Sequence, residues 1–235
     1  MDAVIRPDFV SIDGHDTLAK LFRDRVEKWA DRIAMREKDY GIWRAYTWAE
    51  YAEFARHCAG GFLSLGLTRG DVVSILSENN KEWAFADMGA HAVGLTVNGV
   101  YPTYQAGQLE HLLNDSKTRV LIVENEEQLD KFLEVRANTP SVLRVYVVDW
   151  KGLRGFSDPL VAPIEDLYDA GKAFCSANPD AVDAAIDGGV NTDTAVLIYT
   201  SGTTGAPKGA LISNRYLLFQ MSAAPETFPI TGEDD

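Results

Sequence analysis

The sequence predicts an α/β protein built on a parallel sheet that is flanked by helices in βαβ units. Between residues 71 and 200, short apolar runs such as DVVSIL, RVLIV and TAVLIYT alternate with stretches whose apolar residues recur at helical spacing. Continuous apolar runs are typical of strands buried on both faces, and the intervening helices supply the crossovers of βαβ units. The sheet is therefore expected to be covered by helices on both faces, with right-handed crossovers.

The first 66 residues precede this alternation. Apolar residues at helical spacing predict a helix over residues 17–30, and residues 33–48 predict a small N-terminal hairpin with its turn at 39–41. Thr47 with Glu50 three residues later matches a capping box, and Gly66 suits a helix stop. A helix is therefore expected from residue 48 to about residue 65.

The remaining elements follow from the same patterns. Helices are predicted within residues 77–94, 104–116, 124–138 and 213–224, with Asn125 and Ser213 as the N-caps of the last two. The segment NGVYPTY, residues 98–104, is predicted to contain the turn before the second of these helices, and no ligand contact is assigned to it. Strands are predicted within residues 71–76, 95–100, 119–123, 142–149 and 194–200. Glycines and prolines make residues 151–191 a predicted loop-rich stretch with one short helix near 164–170.

Composition narrows the range of functions. The net charge of −13 argues against nucleic acid as a partner, because phosphate contacts need clustered Lys and Arg. Cys58 and Cys175 show no metal-ligand spacing, which predicts free thiols in a reducing, cytoplasmic location. The four histidines are scattered, so no metal site is expected, and no run approaches the roughly 18 apolar residues of a membrane span. Core packing is the expected role of Trp43, Trp48 and Trp83, and lining a ligand groove is the alternative.

The stretch LIYTSGTTGAPKG, residues 197–209, places a polar glycine-rich loop directly behind a predicted strand. Glycines let backbone N–H groups approach an oxyanion, hydroxyl side chains add donors, and Lys208 adds positive charge. In open α/β sheets ligands bind beyond the carboxyl ends of strands. A plain surface turn would explain the glycines but not the combination of four hydroxyls, a proline and a lysine, so the loop is predicted to bind phosphate.

Neither common nucleotide-loop motif is present. A Walker A loop needs G-x-x-x-x-G-K-[ST], but Pro207 stands five residues after Gly202, and Gly209 follows Lys208. The dinucleotide motif G-x-G-x-x-G also fails, because Gly202 and Gly205 lack the third glycine at the required offset.

YTSGTTGAPKG resembles the phosphate loop of adenylate-forming enzymes, the superfamily of acyl-CoA synthetases, peptide-synthetase adenylation domains and luciferases. YTWAEY, GLTRGDVVSILSENNKEWAFADMGAHAVG and GVYPTYQAGQLEHLLNDSKTRVLIVEN resemble AMP-forming long-chain fatty acyl-CoA synthetases. The resemblance extends from about residue 18 to the end of the sequence.

This resemblance implies a ligase with two half-reactions. A fatty acid carboxylate attacks the α-phosphate of Mg-ATP to give an acyl-adenylate and pyrophosphate, and the thiol of coenzyme A then displaces AMP. Small molecules (ATP, Mg²⁺, fatty acid and CoA) are the implied partners, of which only the ATP phosphates are expected to touch this part of the protein. By matching positions, the β- and γ-phosphates would be held by Thr200, Ser201, Gly202, Thr203, Thr204, Gly205 and Lys208.

The sequence departs from the family pattern in two respects. Asn214 stands where many relatives carry a histidine after the loop, although Ser213 is retained. The resemblance also implies that residues 1–235 are part of the large N-terminal AMP-binding domain, with the phosphate loop at 199–209. The acyl pocket, the Mg-binding glutamate, the catalytic lysine and the C-terminal domain of the family have no match in the sequence. These residues alone are therefore expected to lack adenylation activity.

Two other function classes are compatible with the sequence. The chain could be a truncated, non-catalytic paralogue that binds a nucleotide or a partner protein. An incomplete parallel sheet would also leave an unpaired edge and apolar faces, which predicts self-association.

Overall fold

The computed structural model describes residues 3–6, 8–200 and 206–227. Within these ranges the chain forms one seven-stranded sheet, two two-stranded hairpins and eight α-helices. The α/β class predicted from the sequence is thereby confirmed.

The N-terminal part contains two hairpins and two helices. Strands β1 (Ala3–Arg6) and β2 (Phe9–Ile12) form a hairpin that the sequence patterns did not predict. Helix α1 (Leu18–Trp29) then leads to the predicted hairpin of β3 (Ile33–Asp39) and β4 (Ile42–Thr47). Its turn is made by Tyr40 and Gly41, whose φ angles of 47° and 85° suit a tight hairpin turn. Helix α2 (Trp48–Ser64) follows without a break.

The central sheet has the strand order β11-β10-β6-β5-β7-β8-β9. All neighbouring strands in it are parallel except β11, which pairs antiparallel with β10. The strands are β5 (Val72–Leu76), β6 (Thr96–Val100), β7 (Val120–Val123), β8 (Arg144–Val147), β9 (Val161–Pro163), β10 (Thr194–Thr200) and β11 (Lys208–Ser213).

Helices cover both faces of this sheet. They are α3 (Lys81–Ala92), α4 (Ala106–Ser116), α5 (Glu126–Val135), α6 (Ile164–Ala177), α7 (Ala181–Asp187) and α8 (Asn214–Thr227). One core cluster joins α2, α3, α6 and α7 to strand residues such as Val73 and Ile75, and we call this side the α3 face. A second cluster joins α4 and α5 to Leu76 and Val123 on the opposite side, the α4 face. The alternation of strand side chains between the two faces is what a sheet covered on both sides requires.

The predicted helix caps are present. Glu50 N donates to Thr47 Oγ1 at 3.2 Å and Thr47 N donates to Glu50 Oε2 at 2.7 Å, which completes the capping box. The Asn125 and Ser213 side chains accept from the backbone N–H groups of Gln128 and Tyr216. Gly66, with φ of 76°, follows the end of α2 as predicted.

Two sequence-based expectations about structure were wrong, and one strand was not predicted. The stretch 151–191 is less loop-rich than predicted, because α6 continues through Gly171 to Ala177, and α7 follows it. Residues 208–213, for which the sequence predicted no strand and whose first two residues it placed in the phosphate loop, form β11 by pairing with β10. Trp43 does not pack in the core. It is 64% exposed on the two-stranded hairpin, with the ammonium of Lys38 5.8 Å from its ring centroid.

We expect Thr47→Ala to lower the free energy of unfolding by about 1 kcal/mol near neutral pH, because it removes an N-cap acceptor. Hydrogen bonds from the Thr47 N–H and hydroxyl lower the pKa of Glu50. The stabilisation from Glu50 is therefore present above the ordinary carboxyl pKa and is lost as the pH falls through the lower folded value. Urea unfolding at neutral and acidic pH should show the difference from wild type shrinking in acid. Thr192→Ala, at an exposed turn position, is the control, and equal losses in both variants would contradict the expectation.

Candidate functional site

The predicted phosphate loop joins two antiparallel strands rather than a strand and a helix. Strand β10 ends at Thr200, and β11 begins at Lys208. Five of the predicted site residues, Ser201, Gly202, Thr203, Thr204 and Gly205, lie outside the described residues, so their roles stay predictions. The structure describes Thr200 and Lys208 and the segments that hold them.

Thr200 and Lys208 stand opposite each other in the β10–β11 ladder. Directly opposed residues of an antiparallel pair project from the same face of the sheet. Both residues are exposed, and Lys208 makes no ion pair with any other described residue. A hydroxyl donor and an ammonium group are thus brought together at the two ends of the loop.

A cleft of about 440 Å³ lies at the carboxyl ends of β5, β6 and β10. Ile198, two residues before Thr200 and therefore on the same face, lines it together with Val97 and Gly99 of β6. This is the α3 face, to which Val97 also belongs. Thr200 and Lys208 accordingly project on the cleft side of the hairpin. Their position matches the general location of ligand sites in open α/β sheets.

One wall of the cleft is formed by Trp83 at the start of α3. A Cβ on Gly99 would lie 3.6 Å from Trp83 Cζ2, so the indole faces the β6 backbone at this position. Asn80 accepts from Trp83 N at 2.8 Å and donates to Ser77 Oγ at 2.7 Å, which fixes the first turn of the helix beneath the ring. Trp83 is half-buried against the core, as expected, and also lines the cleft, so both roles considered for it from the sequence are present.

The segment after β6 forms another part of the cleft. Tyr101, Pro102 and Thr103 line it, although the sequence had assigned the NGVYPTY turn no contact. The structure brings this turn beside the end of β10 because β6 and β10 are parallel neighbours. Only the strand order, which the sequence does not reveal, places the turn here.

On the opposite face, the hairpin is attached to α4. The hydroxyl of Tyr199 donates to Asp115 Oδ2 at 2.6 Å, and His111 Nε2 lies 3.0 Å from the carbonyl oxygen of Pro207. Burial and the hydrogen bond to Asp115 raise the pKa of Tyr199 above its ordinary value, so its hydroxyl stays protonated as the donor. Gly209 lies opposite Tyr199, where a Cβ would come within 2.7 Å of Leu197 Cδ1. The histidine was seen in the sequence only as one of four scattered residues.

Asn214, the departure from the family pattern, has a structural role. Its Oδ1 accepts from Leu18 N at 2.9 Å, and its Nδ2 donates to the carbonyl oxygen of Asp193 at 3.3 Å. The side chain thus joins the start of α8 to the start of α1 and to the segment before β10. Among the described residues, no three His, Cys, Asp or Glu side chains gather in a way that could hold a metal ion.

Comparison with known proteins identifies this arrangement. A family model described as AMP-binding enzyme matches residues 22–235. The chain belongs to the AMP-binding enzyme family. The sequence resemblance to adenylate-forming enzymes is therefore confirmed.

Curated relatives are named long-chain-fatty-acid–CoA ligases. ACSBG2 of Xenopus laevis is 32% identical over 215 residues, which cover 90% of this chain and 28% of that protein. ACSBG2 of Rattus norvegicus is 31% identical over 228 residues, which cover 94% of this chain and 34% of that protein. The chain thus spans about a third or less of the length of these family members.

Solved structures of CoA ligases share the fold. A putative long-chain-fatty-acid CoA ligase from Rhodopseudomonas palustris superposes with a TM-score of 0.72 at 24% identity, covering 97% of this chain and 50% of that one. The anthranilate CoA ligase AuaEII, solved in complex with anthranoyl-AMP, gives a TM-score of 0.65 at 21% identity, covering 85% of this chain and 35% of that one.

No helix within the described ranges of this family member is both long and apolar enough to cross a membrane. A groove of about 720 Å³ runs between β1, β11 and α8, with the exposed apolar side chains of Ile5, Leu211 and Tyr216 along it. Self-association through an unpaired sheet edge and apolar faces stays a prediction.

Proposed function

We propose that the β10–β11 hairpin binds the β- and γ-phosphates of ATP in the reaction of a fatty acid–CoA ligase. The observation that carries the proposal is the pairing of Thr200 with Lys208 on the cleft side of the hairpin, at the carboxyl ends of the parallel strands. Membership of the AMP-binding enzyme family and the names of the curated relatives support the same assignment.

Thr200 and Lys208 contribute in different ways. The Lys208 ammonium is exposed and free to approach phosphate oxygens, whose charge it offsets as a point charge. The Thr200 hydroxyl donates a hydrogen bond from the opposing strand. Ser201, Thr203 and Thr204, with backbone N–H groups at Gly202 and Gly205, are proposed to complete the set of donors.

The proposed reaction needs positioning and charge neutralisation more than proton transfer. A carboxylate oxygen of the fatty acid bonds to the α-phosphorus, the bond from that phosphorus to the bridging oxygen breaks, and pyrophosphate leaves. The sulfur of CoA then bonds to the acyl carbon, AMP leaves, and the thiol proton goes to solvent or a base. Mg²⁺ enters as the counter-ion of the ATP substrate.

Ligand titration tests this proposal without requiring turnover. The melting temperature of the 235-residue chain should rise with Mg-ATP and with magnesium pyrophosphate, because a ligand that binds only the folded state stabilises it. AMP lacks the β- and γ-phosphates and should give a smaller rise at equal concentration. An equal response to AMP and ATP would contradict the assignment of the loop to those phosphates. No response to any of these ligands would favour the non-catalytic, partner-binding alternative.

A further inference from the structure

Two residues of α4 attach the hairpin that carries Thr200 and Lys208. His111 and Asp115 are four residues apart on α4, which places both on the same face of the helix. His111 contacts the carbonyl group of Pro207, and Asp115 contacts the hydroxyl of Tyr199. Each attached residue directly precedes one of the two residues proposed to bind phosphate.

The chemistry of the two contacts is well defined. A carbonyl oxygen can only accept, so Nε2 of His111 carries the proton and donates to Pro207. Tyr199 is 5% exposed and donates to a carboxylate at 2.6 Å, the short distance typical of a charge-assisted hydrogen bond. The His111 and Tyr199 rings also meet edge to face, with their centroids 6.4 Å apart.

Asp115 is placed where its own helix does not favour it. It lies in the last turn of α4, and a negative charge there opposes the helix dipole. Asp115 forms no ion pair among the described residues, so Tyr199 is the partner that accounts for a carboxylate at this position. Residues that oppose the local preference of their own helix, as Asp115 does, are expected at functional sites.

We propose that His111 and Asp115 are positioning residues that hold Thr200 and Lys208 at a fixed separation for phosphate binding. We call these two residues with Tyr199 and Pro207 the α4 clamp. Its two hydrogen bonds fix the end of β10 and the start of β11 to one rigid helix on the α4 face. Thr200 and Lys208 on the other face then approach the ligand without first having to be ordered. This inference rests on the proposed phosphate-binding function.

The test compares variants that remove one clamp hydrogen bond. Tyr199→Phe and His111→Leu should each weaken Mg-ATP binding in calorimetric titrations by about threefold to tenfold, the range expected for one hydrogen bond. AMP binding should change by less than about twofold, since AMP lacks the phosphates that the loop is proposed to hold. His111→Gln keeps an N–H donor near the position of Nε2 and should retain most of the wild-type affinity. In the absence of ligand, backbone amides of residues 206–213 should exchange faster with deuterium in the two impaired variants.

Tyr168→Phe is the matched control. The Tyr168 hydroxyl is buried and has no hydrogen-bond partner in the described part of the chain, so its removal should affect neither binding nor exchange at the hairpin. Unchanged Mg-ATP affinity in Tyr199→Phe and His111→Leu would overturn the inference, whatever happens to exchange. A parallel loss for all ligands that His111→Gln does not rescue would show a merely structural role and overturn it as well.

The experiment also separates this inference from the proposed function. Wild-type protein that binds neither Mg-ATP nor pyrophosphate overturns both. Faster exchange in the variants would then show that the clamp holds the hairpin without serving phosphate binding. Wild-type binding with unaffected clamp variants leaves the phosphate site standing and overturns the clamp alone.

Discussion

Replacing Gly171 with alanine should lower the free energy of unfolding by at least about 3 kcal/mol, the upper range for overpacking a tightly packed interior. The intrinsic effect of the substitution is in the opposite direction, because alanine favours the helical state by about 1 kcal/mol over glycine. Packing must therefore overcome this preference. Gly171 lies in the interior of α6, where that helix crosses α2.

The expected loss follows from backbone contact between the two helices. A Cβ on Gly171 would lie 1.7 Å from the carbonyl oxygen of His57 and 2.8 Å from the backbone N of Gly61. The facing glycine of α2 is equally restricted, since a Cβ on Gly60 would be 2.6 Å from the carbonyl oxygen of Gly171. Backbone atoms cannot rotate away as side chains do, so α2 and α6 would have to separate and disturb the α3-face core.

Gly107→Ala is the control. Gly107 is exposed in the first turn of α4, and a Cβ there meets no atom within 4 Å. This variant should be more stable than wild type by about 0.5 kcal/mol, because alanine restricts the unfolded chain and suits the helix. Guanidinium unfolding followed by circular dichroism measures both changes. Similar values for the two variants, of either sign, would show that the α2–α6 contact does not exclude a side chain.

Gly171 also explains a limit of prediction from the sequence. The sequence indicates the αβ alternation because apolar periodicity is local, and the caps at Thr47, Asn125 and Ser213 are confirmed because each involves residues three apart. A glycine within a helical pattern signals a break when judged from its neighbours alone. Position 171 must be glycine because the backbone of α2, more than a hundred residues away in sequence, leaves no room for a Cβ.

The motif of the candidate site could be predicted from the sequence, but the contacts that arrange the site could not. The motif identified Thr200 and Lys208, but their opposition depends on the register of β11, whose sequence KGALIS lacks the continuous apolar run that revealed the other strands. Trp83 and Tyr101 reach the cleft only because the chain places β6 between β5 and β10. The contact between His111 and Pro207 joins residues 96 positions apart, and no spacing rule in the sequence encodes it.

Lys208→Ala should reduce Mg-ATP affinity by at least about tenfold, because it removes a cation proposed to contact phosphate oxygens and leaves them uncompensated. Its effect on stability should be within about 0.5 kcal/mol, since the side chain is exposed and forms no ion pair with the described residues. Lys208→Arg keeps the charge and should recover part of the lost affinity. Calorimetric titration with Mg-ATP and AMP at two salt concentrations measures these effects.

The effect of Lys208→Ala on a direct contact with phosphate must be distinguished from its effect on long-range repulsion. The protein carries a net charge of −13, and the loss of any lysine increases its repulsion of ATP. Lys172→Ala on α6 makes the same change in net charge at an exposed position away from the hairpin. The general repulsion should be similar in both variants and should weaken as salt shortens the Debye length. A local contact at Lys208 would leave a difference between the two variants that persists at the higher salt concentration. Equal losses of Mg-ATP affinity in Lys208→Ala and Lys172→Ala would mean that Lys208 acts only through net charge and would remove it from the phosphate site.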